Sequence, residues 1–451
     1  MMKQRAWEYG SLFGIFYHFG NNLFFAVVVD CGYFKTMFME NEERSAAVQG
    51  CTKGVFTGKG YISVVALIGI WMVSALTSLP GLAVSPISEK LATIFPKASD
   101  LEIEMLTTLP SLLVIPFILL AGYISNRVGY IKLLYIGLVL FLLSGALYFV
   151  CGTMTQLVVV SALLGIGAGV IIPLSTALVS MFFSGKERTR QYGLVSAITN
   201  IALVVATAVV GWLADVQWRL PFLVYLLAVV PLVLVPAIRR AESGVTQDKE
   251  SGDVAAAAAV ADGIDYMRLV KYMLYYLLIT YLVMAVSINL PFLLGEYGYD
   301  SGVSGVVVSL FFLAMMLPGL FINRLLEVVG RSVLLWAMLL IALGLLDVYF
   351  NRSLPYVITG CVAAGFGYGM AQPYIYDVTA SLASAQKSTR ALALLMSMNY
   401  VAIVIAPFLM EWLQDIFRLG GERTPFVINA VIGFVAALFL VLRRLYLRSR
   451  K

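Results

Sequence analysis

Two stretches of the chain, 200 residues apart, read almost as copies of each other. Gly165-Ile166-Gly167-Ala168-Gly169, followed by Pro173, recurs as Gly365-Phe366-Gly367-Tyr368-Gly369, followed by Pro373. The register then holds: Thr189-Arg190 answers Thr389-Arg390, Ala206 answers Ala406, and Trp212-Leu213 answers Trp412-Leu413. Upstream, the run from Gly122 to Asn126-Arg127 is echoed from Gly319 to Asn323-Arg324. One glycine-rich match is weak, because Gly is common in membrane helices. Several in order at nearly constant offset constrain the chain to two related halves.

The composition says where those halves reside. The chain is 61% hydrophobic and 12% charged, with a mean hydropathy of +0.91. A soluble protein could not bury that much apolar surface. Windows of roughly 20 apolar residues, the length of a membrane helix, recur along most of the chain. Twelve are expected: 61–86, 103–124, 131–151, 156–183, 190–214, 220–238, 269–294, 302–322, 332–350, 354–380, 391–415 and 425–446. The runs are continuous, without the alternation of a barrel strand, so helices are favoured. The expected fold is an all-α polytopic membrane protein with two pseudo-symmetric six-helix bundles. Repeats of this kind are the layout of a transporter with its site between the halves.

Charge placement sets the expected orientation. Most of the 31 basic residues fall on the termini and on one set of loops; the exceptions are Lys90, Lys97, Arg219, Arg352, Arg418 and Arg423. This asymmetry predicts both termini on the cytoplasmic side of a cell inner or plasma membrane. The net charge of +6 is thereby an orientation signal, and no nucleic-acid partner is expected. Cys31, Cys51, Cys151 and Cys361 have no paired or metal-ligand spacing. The single histidine, His18, leaves no basis for a His-based metal or catalytic cluster. No cofactor, metal or enzymatic activity is expected; the lipid bilayer and a small-molecule substrate are the expected partners of a monomer.

The expected domains are an extension at 1–60, bundles at 61–238 and 269–447, a cytoplasmic linker at 239–268 and a basic tail at 448–451. Tyr9 to Val29 is apolar enough for a further span, but Gly20-Asn21-Asn22 interrupts it. An interfacial or loosely ordered extension is the favoured reading. The linker carries Arg239-Arg240 and several carboxylates with few apolar residues, which reads as flexible.

Between the second and third spans runs Gly122-Tyr123-Ile124-Ser125-Asn126-Arg127-Val128-Gly129-Tyr130-Ile131-Lys132. Gly122 permits close helix contact, and Gly129 a tight turn. The run resembles the signature loop of the major facilitator superfamily, Gly-x-x-x-Asp-Arg-x-Gly-Arg-Arg/Lys, and the resemblance covers about 61–447. It implies two six-helix bundles rocking about a central cavity. Asn126 stands where that family has an aspartate of its cytoplasmic latch, so it can hydrogen-bond but form no charged pair. Tyr130 replaces the family's first basic residue after the glycine. Asn200 and Gly211-Trp212-Leu213 look like the drug:proton antiporter branch. Ser161 and Ala206-Thr207 depart from that branch's arginine and Gly-Pro pair. The implied function is export of a neutral or amphipathic compound with protons as coupling ion. The alternatives are a facilitator or importer and, more remotely, a non-transporting sensor.

Polar residues inside apolar spans are the site candidates, because an unpartnered amide in hydrocarbon costs several kcal/mol. The expected cavity set is Asn200, Asn289, Tyr368, Gln372, Tyr374, Asn399 and Tyr400. The expected cytoplasmic gate comprises Gly122, Asn126, Arg127, Gly129, Asn323, Arg324, Arg331 and Asp377. For Asp377 two roles are open: a proton-binding carboxylate, or the favoured pairing with Arg324 or Arg331. The glycine triads read mainly as thinned helix surfaces for close packing.

Overall fold

The computed structural model describes residues 54–449, apart from 59, 81–82, 85–86, 88–90, 92–93, 97–99, 252–263, 300, 385–386 and 418–419. The expectations for the extension before residue 54, including a span at Tyr9–Val29, lie outside the described residues. So do the side chains of Asn126 and Arg331.

The described chain opens with a small hairpin, β1 (Gly54–Phe56) against β2 (Tyr61–Ser63), with Val55 opposite Ile62. The expected first span therefore starts late, at α1 (Val64–Leu76), where Ser63 caps the helix by accepting from the Ala66 amide. It also ends early. Thr77 and Ser78 turn their hydroxyls onto the carbonyls of Ser74 and Ala75, and Pro80 disfavours helical geometry at Leu79. At 13 residues, α1 is shorter than the expected 61–86.

The remaining spans follow as α2 (Asp100–Val128), α3 (Tyr130–Val150), α4 (Met154–Phe182), α5 (Gly185–Val216), α6 (Val229–Ser251), α7 (Tyr266–Glu296), α8 (Ser301–Leu320), α9 (Val333–Phe350), α10 (Leu354–Ser381), α11 (Ser388–Phe417) and α12 (Thr424–Ser449). Eleven segments among the described residues are long and apolar enough to cross a membrane, and α1 completes the twelve-helix order. A short helix, Leu223–Leu226, precedes α6, and another, Ile322–Val329, joins α8 to α9. The expected linker is partly ordered as helix, since α6 continues to Ser251. At its far end Asp265 caps α7, and its own amide donates to the Leu382 carbonyl.

The glycine triads set the packing inside each half. A Cβ on Gly165 would strike the Pro110 backbone, and one on Gly169 would strike Val114 and Phe117, all on α2. A Cβ on Gly167 would meet Phe141 on α3. The copies repeat the arrangement: Gly365 and Gly369 lie against Phe311 and Met315 of α8, and Gly367 against Ala337 of α9. Two faces of one helix are thus thinned for two neighbours, as small residues do where membrane helices approach closely.

The halves meet through the same symmetry. Gly122 of α2 lies directly on Ala393 of α11, and Gly319 of α8 directly on Gly193 of α5. Helix α4 also packs on α10 and α11, and α5 on α10. Gly129 and Gly330 hold positive φ at the two corresponding turns, 92° and 58°, which is why Gly is required there.

A neutral central cavity and its closed end

Asp377 sits on α10 near the end that carries the α2–α3 and α8–α9 connections. The structure corrects the expected pairing with Arg324, while the Arg331 side chain lies outside the described residues. Its Oδ1 accepts from Arg188 Nε at 2.7 Å, and its Oδ2 from Thr189 Oγ1 at 2.8 Å. Arg188 Nη2 also reaches the Asp377 carbonyl at 3.3 Å. Both residues that hold Asp377 belong to the first turn of α5, in the opposite half. Arg324 is exposed and does not bond Asp377.

The copy of the signature loop closes on the same turn. Asn323 Nδ2 donates to the Lys186 carbonyl at 3.1 Å, and Lys186 Nζ contacts Glu327 at 2.9 Å. That hydrogen bond and the lysine charge hold the Glu327 carboxyl below the usual range, and Arg324 adds a smaller pull in the same direction. On the other side of the seam, Ser180 and Ser388 hydroxyls lie 3.3 Å apart. Arg127 turns back on its own helix, donating to Tyr123 OH at 3.2 Å. The Tyr123 ring carries the Arg127 guanidinium at 5.3 Å and Arg390, from the opposite half, at 5.7 Å. An aromatic face thus receives a cation across the seam.

Beyond this closed end lies a cavity of about 310 Å³ between the halves. Asn200, Tyr368, Gln372, Asn399 and Tyr400 all line it. Two expected members do not. Asn289 instead donates to the Ala285 carbonyl and to Met410 Sδ, 3.4 and 3.3 Å away. Tyr374 packs partly buried against the apolar core.

Gln372 is the hub. Its Oε1 accepts from Ser196 Oγ of the opposite half at 2.7 Å. Its Nε2 lies 3.1, 3.4 and 3.2 Å from the hydroxyls of Tyr276, Tyr368 and Tyr376. Tyr276 and Tyr376 are themselves 2.8 Å apart. Tyr368 and Thr280 both donate to Asn399 Oδ1, at 3.3 and 3.0 Å. Arg188, Thr189, Tyr276, Thr280 and Ser196 are the residues sequence reasoning missed. A tyrosine or serine in an apolar window signals nothing alone, whereas the run Lys186-x-Arg188-x-Arg190 was visible only as an inner-loop charge.

Every described residue lining this cavity is uncharged. Such a site can hold a ligand by stacking and hydrogen bonds. A second cavity of about 440 Å³ continues the cleft away from the loops, bounded by Thr207, Ser287 and Gly295, with Phe312 shared between the two. Among the described residues no group of His, Cys, Asp and Glu could hold a metal ion.

Comparison with known proteins agrees with this architecture. The multidrug transporter protein MdtP of Bacillus subtilis (strain 168) is 31% identical over 108 residues, 24% of this chain and 19% of that protein. The quinolone resistance protein NorA of Staphylococcus aureus is 26% identical over 114 residues, 25% of this chain and 29% of that protein. The chain thus matches less than a third of the length of either relative. Among solved structures, the human organic anion transporter MFSD10 superposes with a TM-score of 0.64 at 19% identity, covering 83% of this chain and 98% of that one. The proton:xylose symporter XylE gives 0.64 at 16% identity, covering 83% and 94%. The family model described as Major Facilitator Superfamily matches residues 66–303 and again 272–451. Two related six-helix halves, a cavity between them and the family match together make the chain a multi-pass membrane protein belonging to the Major Facilitator Superfamily.

Proposed function

We propose that this transporter exports a neutral or weakly charged amphipathic molecule from the cytoplasm by alternating access, exchanging it for protons. The observation that carries the substrate class is the lining of the central cavity. Its described residues offer hydroxyls, amides, aromatic rings and methionines, and no Arg, Lys, Asp or Glu. A phosphorylated or dicarboxylate substrate would want a cationic partner, and a strongly cationic one a carboxylate, because burying an unpaired charge is prohibitive. The names of MdtP and NorA, a multidrug transporter and a quinolone resistance protein, support the export direction. With the basic loops on the cytoplasmic side of an inner or plasma membrane, the closed end is the cytoplasmic one. Asp377 is then the carboxylate through which protons would act, by releasing Arg188.

A facilitator is the second reading. It is favoured by the same pair: Asp377 is held by Arg188 and Thr189, and no carboxylate lines the cavity among the described residues. A ligand-stabilisation screen on the purified protein tests the substrate class. Uncharged amphiphiles should raise the melting temperature, whereas sugar phosphates and dicarboxylates should not. Tight binding of either anion class would contradict the proposal.

A further inference from the structure

The cavity's two walls differ in chemistry, and the difference specifies more than neutrality. All of its aromatic rings and all of its methionines come from the second half, whereas its serines come from the first. On the first-half wall five hydroxyls commit their protons to protein acceptors. Thr77 donates to the Ser74 carbonyl at 2.7 Å, Ser78 to Ala75 at 3.1 Å and Thr199 to Val195 at 2.8 Å. Ser175 and Thr176, more deeply buried, donate in the same way to Ile172 and Pro173. A hydroxyl has one proton and two lone pairs, so tying the proton to the helix backbone leaves only acceptor capacity for a ligand. Asn200 spends an amide hydrogen on the Ser196 carbonyl at 2.8 Å, and no described donor engages its Oδ1.

The second-half wall offers unengaged donors as well. Asn399 Oδ1 is occupied by Thr280 and Tyr368. Its amide hydrogens and the Tyr400 hydroxyl make no bond among the described residues, and both residues line the cavity. These are donors set beside aromatic faces.

Resting on the neutral-substrate reading above, we infer that the site selects an uncharged aromatic or heteroaromatic molecule with opposed polar edges. Its hydrogen-bond donor, an N–H or O–H, faces Thr77, Ser78, Thr199 and Asn200. Its acceptor, a carbonyl or ether oxygen, faces Asn399 and Tyr400, and its ring lies against the second-half aromatics. A molecule with its donor capped would leave that wall's acceptors buried without partners, which is the stronger source of discrimination.

Matched probes test this at a pH where all are neutral. The set is 4-aminoacetophenone, its dimethylamino analogue lacking the donor, and 4-ethylaniline lacking the acceptor, titrated against the purified protein by calorimetry. The parent should bind about fivefold more tightly than either analogue, the worth of one neutral hydrogen bond. The donor preference should vanish in Thr199→Val and Asn200→Leu, with the acceptor preference intact. The acceptor preference should vanish in Asn399→Leu, with the donor preference intact. Equal affinity for all three probes would overturn the wall polarity and leave the neutral site standing. Failure of all three to bind at millimolar concentration, while a charged analogue such as 4-acetylbenzoate binds, would overturn both.

Discussion

Arg188 Nε lies 2.7 Å from Asp377 Oδ1, joining the first turn of α5 to the end of α10 with only 19% and 22% of the two side chains exposed. The bond exists only while the halves are closed at this end. Asp377→Asn or Arg188→Gln should therefore favour the state open at the loops by about 1.5–3 kcal/mol, the range for hydrogen bonds to a charged group. The double variant should add little to either single one. Distances between spin labels on the α2–α3 and α8–α9 connections measure this population. Unchanged distributions in both single variants would remove the pair from the latch.

Tyr123 receives Arg390 across the seam at 5.7 Å. Its ring is half exposed, so Tyr123→Leu should weaken closure by only about 0.5–1 kcal/mol. Tyr123→Phe should keep most of that contribution, because the ring face is retained. The same spin-label distances distinguish the two. A phenylalanine variant as open as the leucine variant would assign the effect to the Tyr123–Arg127 hydrogen bond instead.

Glu327 supplies a pH dependence with a defined sign. Its pKa is lowered in the closed state by Lys186, so its contribution is present above the ordinary carboxylate range and lost as pH falls through the lowered value. Through Glu327 closure should be independent of pH between about pH 6 and 8 and weaken only in acid. Glu327→Gln should lose part of the acid limb when the spin-label population is followed against pH. An effect of Glu327→Gln that is absent at neutral pH, or that persists undiminished in acid, would show that the contact acts in some other way.

Glycines predict opposite outcomes at two kinds of position. Gly369→Ala puts a methyl into the Met315 backbone, and overpacking of this kind costs about 1–3 kcal/mol. Gly211 is also helical, but a Cβ there meets nothing within 4 Å. Gly211→Ala should be neutral or slightly stabilising, by up to about 1 kcal/mol of helix propensity. Melting temperatures of the detergent-solubilised variants should fall for Gly369→Ala and hold or rise for Gly211→Ala.

The symmetry and the spans were legible because glycine spacing and apolar run length act locally. The pairs Gly122–Ala393 and Gly319–Gly193 are the physical reason the repeat recurs, since each copy of the loop must approach the other half closely. The early end of α1 was harder to see: the hydroxyls of Thr77 and Ser78 compete for carbonyls that an apolar count treats as helix. Five cavity residues were legible as amides and tyrosines inside hydrocarbon windows. Asn289 misled because Met410 and its own helix backbone satisfy its amide outside the cavity. The partner of Asp377 was hidden for a different reason. Arg188 and Asp377 are 189 positions apart, and sequence spacing carries no information about which of several loop cations crosses between halves.

Flux through the purified protein in liposomes tests the account most directly. An uncharged amphiphile that stabilises the protein should exchange across the membrane, and Gln372→Ala, which removes the bridge to Ser196 and the tyrosine hub, should change which amphiphiles exchange more than it changes protein yield. An imposed pH gradient should drive net movement of that compound in the wild type. In Asp377→Asn exchange should survive and the response to the gradient should disappear. Gradient-driven flux that persists undiminished in Asp377→Asn would contradict proton exchange through this carboxylate, and the absence of any exchange of neutral compounds, with robust exchange of an anion, would contradict the neutral central site.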